Sequence, residues 1–149
     1  MIVELVEVTS KNLDETLRLS VADDQLKFVA TNAVSIAQSK FFPTLKTDAI
    51  HNGEEIVGFA MYGFDPDEDR YTLIRLMVDQ RFQGNGYGRS ATKAVIERLR
   101  DVEDCDAVFL SYVPANKGAA RLYKSIGFEK TGEIDEESGE IVMRLQIRK

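Results

Sequence analysis

Hydrophobic and polar positions alternate raggedly from Met1 to Val8, where Glu4 and Glu7 interrupt Ile2, Val3, Leu5, Val6 and Val8, and this period-two pattern predicts a first strand. Leu13, Leu17 and Leu19 then fall at helical spacing, with Asp14 and Glu15 near the start, so the stretch from Ser10 to about Leu19 reads as an N-capped helix. A further helix is expected over Phe28–Phe41, ending before Pro43. Two apolar runs, Thr44–Ile50 and Glu55–Phe64, flank His51-Asn52-Gly53-Glu54, and Asn-Gly between such runs is a strong hairpin signal. Asp65-Pro66-Asp67-Glu68-Asp69 reads as a loop, followed by a fourth strand over Tyr71–Val78 whose apolar density suggests burial on both faces. A glycine-rich segment then leads into a helix to about Val102, with Ala91, Val95, Leu99 and Val102 on its apolar stripe. Ala107–Val113 is a fifth strand, and Asn116 opens a helix that Gly127 closes. Phe128–Glu133 and Ile141–Ile147 make a final strand pair around Glu136-Glu137-Ser138-Gly139. The sum is one α/β domain over residues 1–149, with about seven strands and four helices in a mixed sheet.

Composition narrows the class. The chain has 149 residues, 44% of them hydrophobic and 30% charged, which is near the globular average. With a single cysteine, Cys105, and a single histidine, His51, neither an intramolecular disulfide nor a Cys/His zinc cluster is expected, and no metal is assigned. No apolar run approaches a membrane span, so no membrane partner and a cytoplasmic home are expected. The net charge of −6 argues against nucleic acid as a partner. That charge is uneven: residues 1–80 carry 7 basic and 14 acidic side chains, whereas residues 81–124 carry 8 and 5. A basic middle in an acidic chain suits one anionic ligand, with a separate acidic region suited to cations.

The basic segment contains Gln83-Gly84-Asn85-Gly86-Tyr87-Gly88-Arg89, between a strand and a helix. Glycines at every second position let the backbone approach a ligand and present successive N–H groups, and the helix start adds partial positive charge. Arg81, Arg89 and Lys93 add formal charge to what reads as a phosphate cradle; the alternative is a tight turn with no ligand. The nucleoside triphosphate loop does not fit, because Gly84 and Gly88 are too close and are followed by Arg89-Ser90. The dinucleotide fingerprint fails because Arg89 would stand at its third glycine.

Gln83-x-x-Gly86-x-Gly88 resembles the coenzyme A signature of the GNAT superfamily of N-acetyltransferases. A second hallmark follows in Asn116 at a helix start, Ala119-Ala120-Arg121-Leu122-Tyr123, and Ile126-Gly127-Phe128 at the helix exit. The order of elements is similar to that fold, with the likeness weakest over residues 9–43. Phe59-Ala60-Met61-Tyr62-Gly63, the glycine loop, Gly132-Glu133-Ile134 and Asp24-Gln25-Leu26 look most like the bacterial spermine/spermidine (diamine) acetyltransferases.

The resemblance implies a sheet splayed between strands four and five, acetyl-CoA as donor, and direct attack by an amine without an acetylated enzyme. It implies cofactor contacts from the backbone of Leu76, Met77 and Val78, from Gln83, Gly84, Asn85, Gly86, Tyr87, Gly88 and Arg89, and from Asn116. It makes Tyr123 the general acid that protonates the departing thiolate, and the Val78 N–H the donor to the developing oxyanion. Spacing alone would leave Tyr123 a core aromatic on an amphipathic helix. An alkyl amine near pKa 10 must also lose a proton before attack. Related polyamine enzymes of higher organisms place a glutamate on the fourth strand for this, where this chain has Ile74 followed by Arg75. Asp24, Glu54 or a chain of waters could take that role, and Asp24 and Glu54 are the expected contacts to a cationic acceptor.

The carboxylates at 23–24, 54–55 and 65–69 suit attraction of a polycation, or else form an ordinary solvated acidic surface. His51, beside the hairpin turn, is expected to be exposed and incidental. Cys105, Met61, Met77 and Met143 read as packing. The expected acceptor is spermidine or spermine. Rivals are an aminoglycoside, an amino acid or a protein N-terminus, a non-catalytic acetyl-CoA sensor, and a nucleotide-binding regulator. A homodimer through the C-terminal strands is the expected assembly.

Overall fold

The computed structural model describes residues 3–148. Seven strands form one sheet in the order β1-β2-β3-β4-β5-β7-β6, where β1 is Glu4–Glu7, β2 Leu45–Asn52, β3 Glu55–Asp65, β4 Arg70–Val78, β5 Ala107–Tyr112, β6 Glu129–Ile134 and β7 Ile141–Gln146. Every pairing is antiparallel except β4 with β5. That exception follows from helix α3, Tyr87–Arg100, which carries the chain back across the sheet between them. Helix α4, Lys117–Ile126, packs with α3 on one face around Leu73, Val95, Leu110, Tyr112 and Phe128. On the other face, α1 (Leu13–Arg18) and α2 (Asn32–Ser39) border a smaller core of Leu19, Ala49, Phe59, Met61 and Met77.

Several sequence expectations shift. The first helix begins after Asn12, not Ser10; the Asn12 carboxamide oxygen accepts from the Thr9 N–H and stabilises the preceding turn instead of capping the helix. The second helix is only Asn32–Ser39, because Thr31 accepts the Val34 N–H and sets its start. The strand buried on both faces is β3, not β4. β4 is mostly half-buried because β5 pairs with it only at Thr72–Phe109, and the two then diverge. His51 lies in β2 beside a register shift, half-buried, with its Nε2 buried and unpartnered. Cys105, Met61, Met77 and Met143 are core residues as expected.

Beneath β2 and β3, buried Asp48 accepts from the Tyr62 hydroxyl at 2.5 Å and lies 3.6 Å from Arg98 of α3, whose guanidinium also donates to the Leu5 carbonyl. Burial, reinforced by the Asp48 carboxylate, raises the Tyr62 hydroxyl far above its usual range, so it remains a donor. Asp48→Ala strands that hydroxyl and is expected to cost about 2 kcal/mol, a melting temperature lower by roughly 6 °C in a thermal denaturation.

Candidate active site

The divergence of β4 from β5 opens a cleft of about 790 Å³. Its walls are β4 from Leu73 to Val78, the glycine loop, the end of β5, the exposed side of α4, part of the 21–30 segment, and Ser138 and Glu140 before β7.

Ladder geometry decides which backbone groups face it. The Asp79 N–H donates to the Val57 carbonyl at 2.8 Å, which makes the Gly58–Val78 pair non-hydrogen-bonded. By alternation, Met77 exchanges its hydrogen bonds with Phe59, whereas Leu76 and Val78 direct N–H and C=O away from β3 into the gap. The Val78 carbonyl indeed accepts from the Gln83 side chain at 2.9 Å, leaving the Val78 N–H aimed into the opening. Of these three residues, Leu76 and Val78 present backbone groups to the gap, whereas those of Met77 are committed to β3.

The glycine loop turns at Gly84 and Gly86, with φ of 81° and 85°. Gly86 is the N-cap of α3 and supplies no side-chain cap, and the first turn holds no acidic residue. The opening N–H groups of a 14-residue helix are thus left for a ligand, and the cradle fits the diphosphate of a coenzyme A chain. The Gln83 amide also donates to Gln25 at 2.9 Å, tying the loop to the 3-10 turn Asp23–Gln25. The Tyr87 hydroxyl accepts from Asn52 at 2.7 Å. Asn85 and Arg89 do not line the cleft: the Asn85 amide donates to the Phe82 and Gln83 carbonyls, and Arg89 bonds to Ser125, joining α3 to α4. Their side chains shape the loop, and only their backbone is available to a ligand.

Opposite the loop, Asn116 caps α4 by accepting the Ala119 N–H at 3.1 Å, and Gly127, at φ 119°, ends the helix. Between these fixed ends Tyr123 reaches the cleft, its ring edge-on to buried Phe128 with centroids 5.8 Å apart. Burial alone pushes its hydroxyl up to about 12, so it stays protonated at neutral pH.

Asp24 is exposed on the 3-10 turn beside Gln25, and Glu54 is exposed at the β2–β3 hairpin; neither lines the cleft. The 65–69 loop precedes β4 at the end remote from Val78, about 26 Å along the strand. Asp79 was not singled out from sequence. It is buried, and it accepts from the Ser20 N–H and from the Arg81 backbone and side chain. Burial raises its carboxyl, but these bonds outweigh that and hold it below the ordinary range. It fixes the chain where β4 hands over to the glycine loop. Glu140, Ser111 and Gln25 also line the cleft without having been expected to.

Residues 13–128 match the model of the acetyltransferase (GNAT) family. The chain is 36% identical to spermine/spermidine N(1)-acetyltransferase of Bacillus subtilis, over 96% of this chain and 97% of that one. Among solved structures, an aminoglycoside acetyltransferase in complex with coenzyme A superposes with a TM-score of 0.79 at 16% identity, covering 97% of this chain and 95% of that one. Spermidine N-acetyltransferase from Vibrio cholerae, solved with CoA and spermine, gives a TM-score of 0.69 at 13% identity, covering 95% and 92%. These last two likenesses concern the fold. By family match and by near full-length identity, the chain belongs to the GNAT acetyltransferases and is an N-acetyltransferase that uses acetyl-CoA.

Proposed function

We propose that the chain acetylates a primary amine of a small cationic acceptor, with spermidine and spermine as the leading substrates. The observation that carries this is the 36% identity to the Bacillus subtilis spermine/spermidine enzyme across almost the whole of both chains.

Acetyl-CoA supplies an activated thioester; the residues supply position and charge. The N–H groups at the start of α3 hold the diphosphate, and Leu76 and Val78 align the pantetheine arm along the open edge of β4. The Val78 N–H stabilises negative charge on the thioester oxygen as the amine attacks. Tyr123 donates its proton to the departing sulfur. Asn116 keeps α4, and with it Tyr123, at the cleft. Asp24, on the turn beside the lining residue Gln25, offers a carboxylate to a distal ammonium of the acceptor; Glu54, on the hairpin whose Asn52 bonds Tyr87 of the lining, stands outside the lining as Asp24 does.

The test is acetyl-CoA-dependent thiol release with spermidine, spermine, an aminoglycoside, free amino acids and a short peptide. The highest kcat/KM is expected with the polyamines. Turnover confined to the peptide or the aminoglycoside would replace the acceptor while leaving acetyl transfer in place.

A further inference from the structure

The cleft has two sides that differ in chemistry. Tyr123, Asn116 and the glycine loop belong to the α3–α4 face, as does Val78, whose side chain lies near Gly88. Arg75 and Met77 share the opposite side of β4, and Ser111 shares the side of β5 that carries Phe109, over whose ring Arg70 lies. On this second side Glu140 is the one carboxylate lining the cleft among the described residues. It sits there because β7 is inserted between β5 and β6, pairing Ile141 with Tyr112 at the very end of β5.

Glu140 is held by its backbone. Its N–H donates to the Ser138 hydroxyl at 3.2 Å and its carbonyl accepts from Asp135 at 2.9 Å, so the side chain is anchored at its root. Its carboxylate is only weakly engaged, by the Ser111 hydroxyl at 3.4 Å. Across the cleft stands Arg75, half-buried, with one guanidinium nitrogen donating to the Ile74 carbonyl and its Nε buried without a partner. Burial holds that guanidinium below its usual range, with the Glu140 carboxylate working against the shift, and no ion pair closes between them among the described residues. The other titratable groups lining the cleft are Lys27, Tyr87, Tyr112 and Tyr123, none of them a carboxylate.

We propose that Glu140 is the carboxylate that receives the acceptor's ammonium group and takes its proton. This rests on the reading of the cleft as an amine acetylation site and supplies the base that Ile74 cannot. The proton passes from the ammonium to the Glu140 carboxylate, and the freed nitrogen lone pair forms the C–N bond. The C–S bond breaks, sulfur takes the Tyr123 proton, and the new amide returns its surplus proton to the tyrosinate. Glu140 releases its own proton to solvent.

Glu140→Gln keeps the shape and removes the charge. A roughly 100-fold fall in kcat/KM for the acceptor is expected, with the KM for acetyl-CoA unchanged and the acidic limb of the kcat/KM profile flattened. Glu140→Asp should recover part of the loss. Calorimetric titration of spermidine into the enzyme–CoA complex reads the contact without turnover, and at least about ten-fold weaker binding is expected for Glu140→Gln. A Gln variant that folds, binds spermidine as wild type does and keeps kcat/KM within about two-fold overturns the proposal. If polyamines are not substrates but another amine is acetylated with the same dependence on Glu140, the subsite stands and the polyamine reading falls.

Discussion

Tyr123→Phe is expected to lower kcat by roughly 100-fold or more while leaving the affinity for acetyl-CoA within about two-fold of wild type. The hydroxyl is the only atom removed, and the edge-on contact with Phe128 keeps the ring in place, so the fold and the cofactor cradle are preserved. The loss falls on kcat because proton donation to sulfur occurs only as the C–S bond breaks. Burial supplies the pH signature. The acid is active when protonated, and its hydroxyl is pushed up to about 12, so Tyr123 imposes no alkaline decline between pH 7 and 10; activity dependent on it fades only as the pH approaches 12. An unchanged kcat in Tyr123→Phe would assign the proton to water.

Gly86→Val is expected to weaken acetyl-CoA binding by 10- to 100-fold, read as a rise in its dissociation constant by calorimetry. Gly86 sits at φ 85° and is the N-cap of α3, a conformation that a β-branched residue adopts only with strain. Relief of that strain rotates the N–H groups that the first turn presents to the diphosphate. Gly53→Ala is the control. It too has a positive φ, 64°, with open space around it, but it lies at the β2–β3 turn outside the cleft. It should cost about 1 kcal/mol of stability and leave acetyl-CoA binding unchanged.

Elements whose signals are local were legible in the sequence. Asn52-Gly53 marked the β2–β3 hairpin, Asn116 and Gly127 marked both ends of α4, and the alternate glycines marked the loop before α3. What escaped depends on partners distant in the chain. The apolar density of β4 suggested burial on both faces, but its neighbour is β5 for a single pair; the splay that creates the cleft follows from the family resemblance and not from the local pattern. Glu140 lies in a turn-rich acidic stretch like any surface loop, and only the insertion of β7 beside β5 brings it to the site. Asp24 and Glu54 stand out in the sequence by charge and likeness, and nothing local says that they stay outside the lining. Asp79 reads as an ordinary strand-end aspartate until Ser20, 59 positions earlier, is found donating to it.

The most direct measurement is a crystal structure of the enzyme with coenzyme A. The diphosphate is expected on the N–H groups at the start of α3, the pantetheine arm along the open edge of Leu76 and Val78, and the sulfur within roughly 4 Å of the Tyr123 hydroxyl. Coenzyme A bound outside the β4–β5 gap, or with its sulfur turned away from Tyr123, would contradict that expectation.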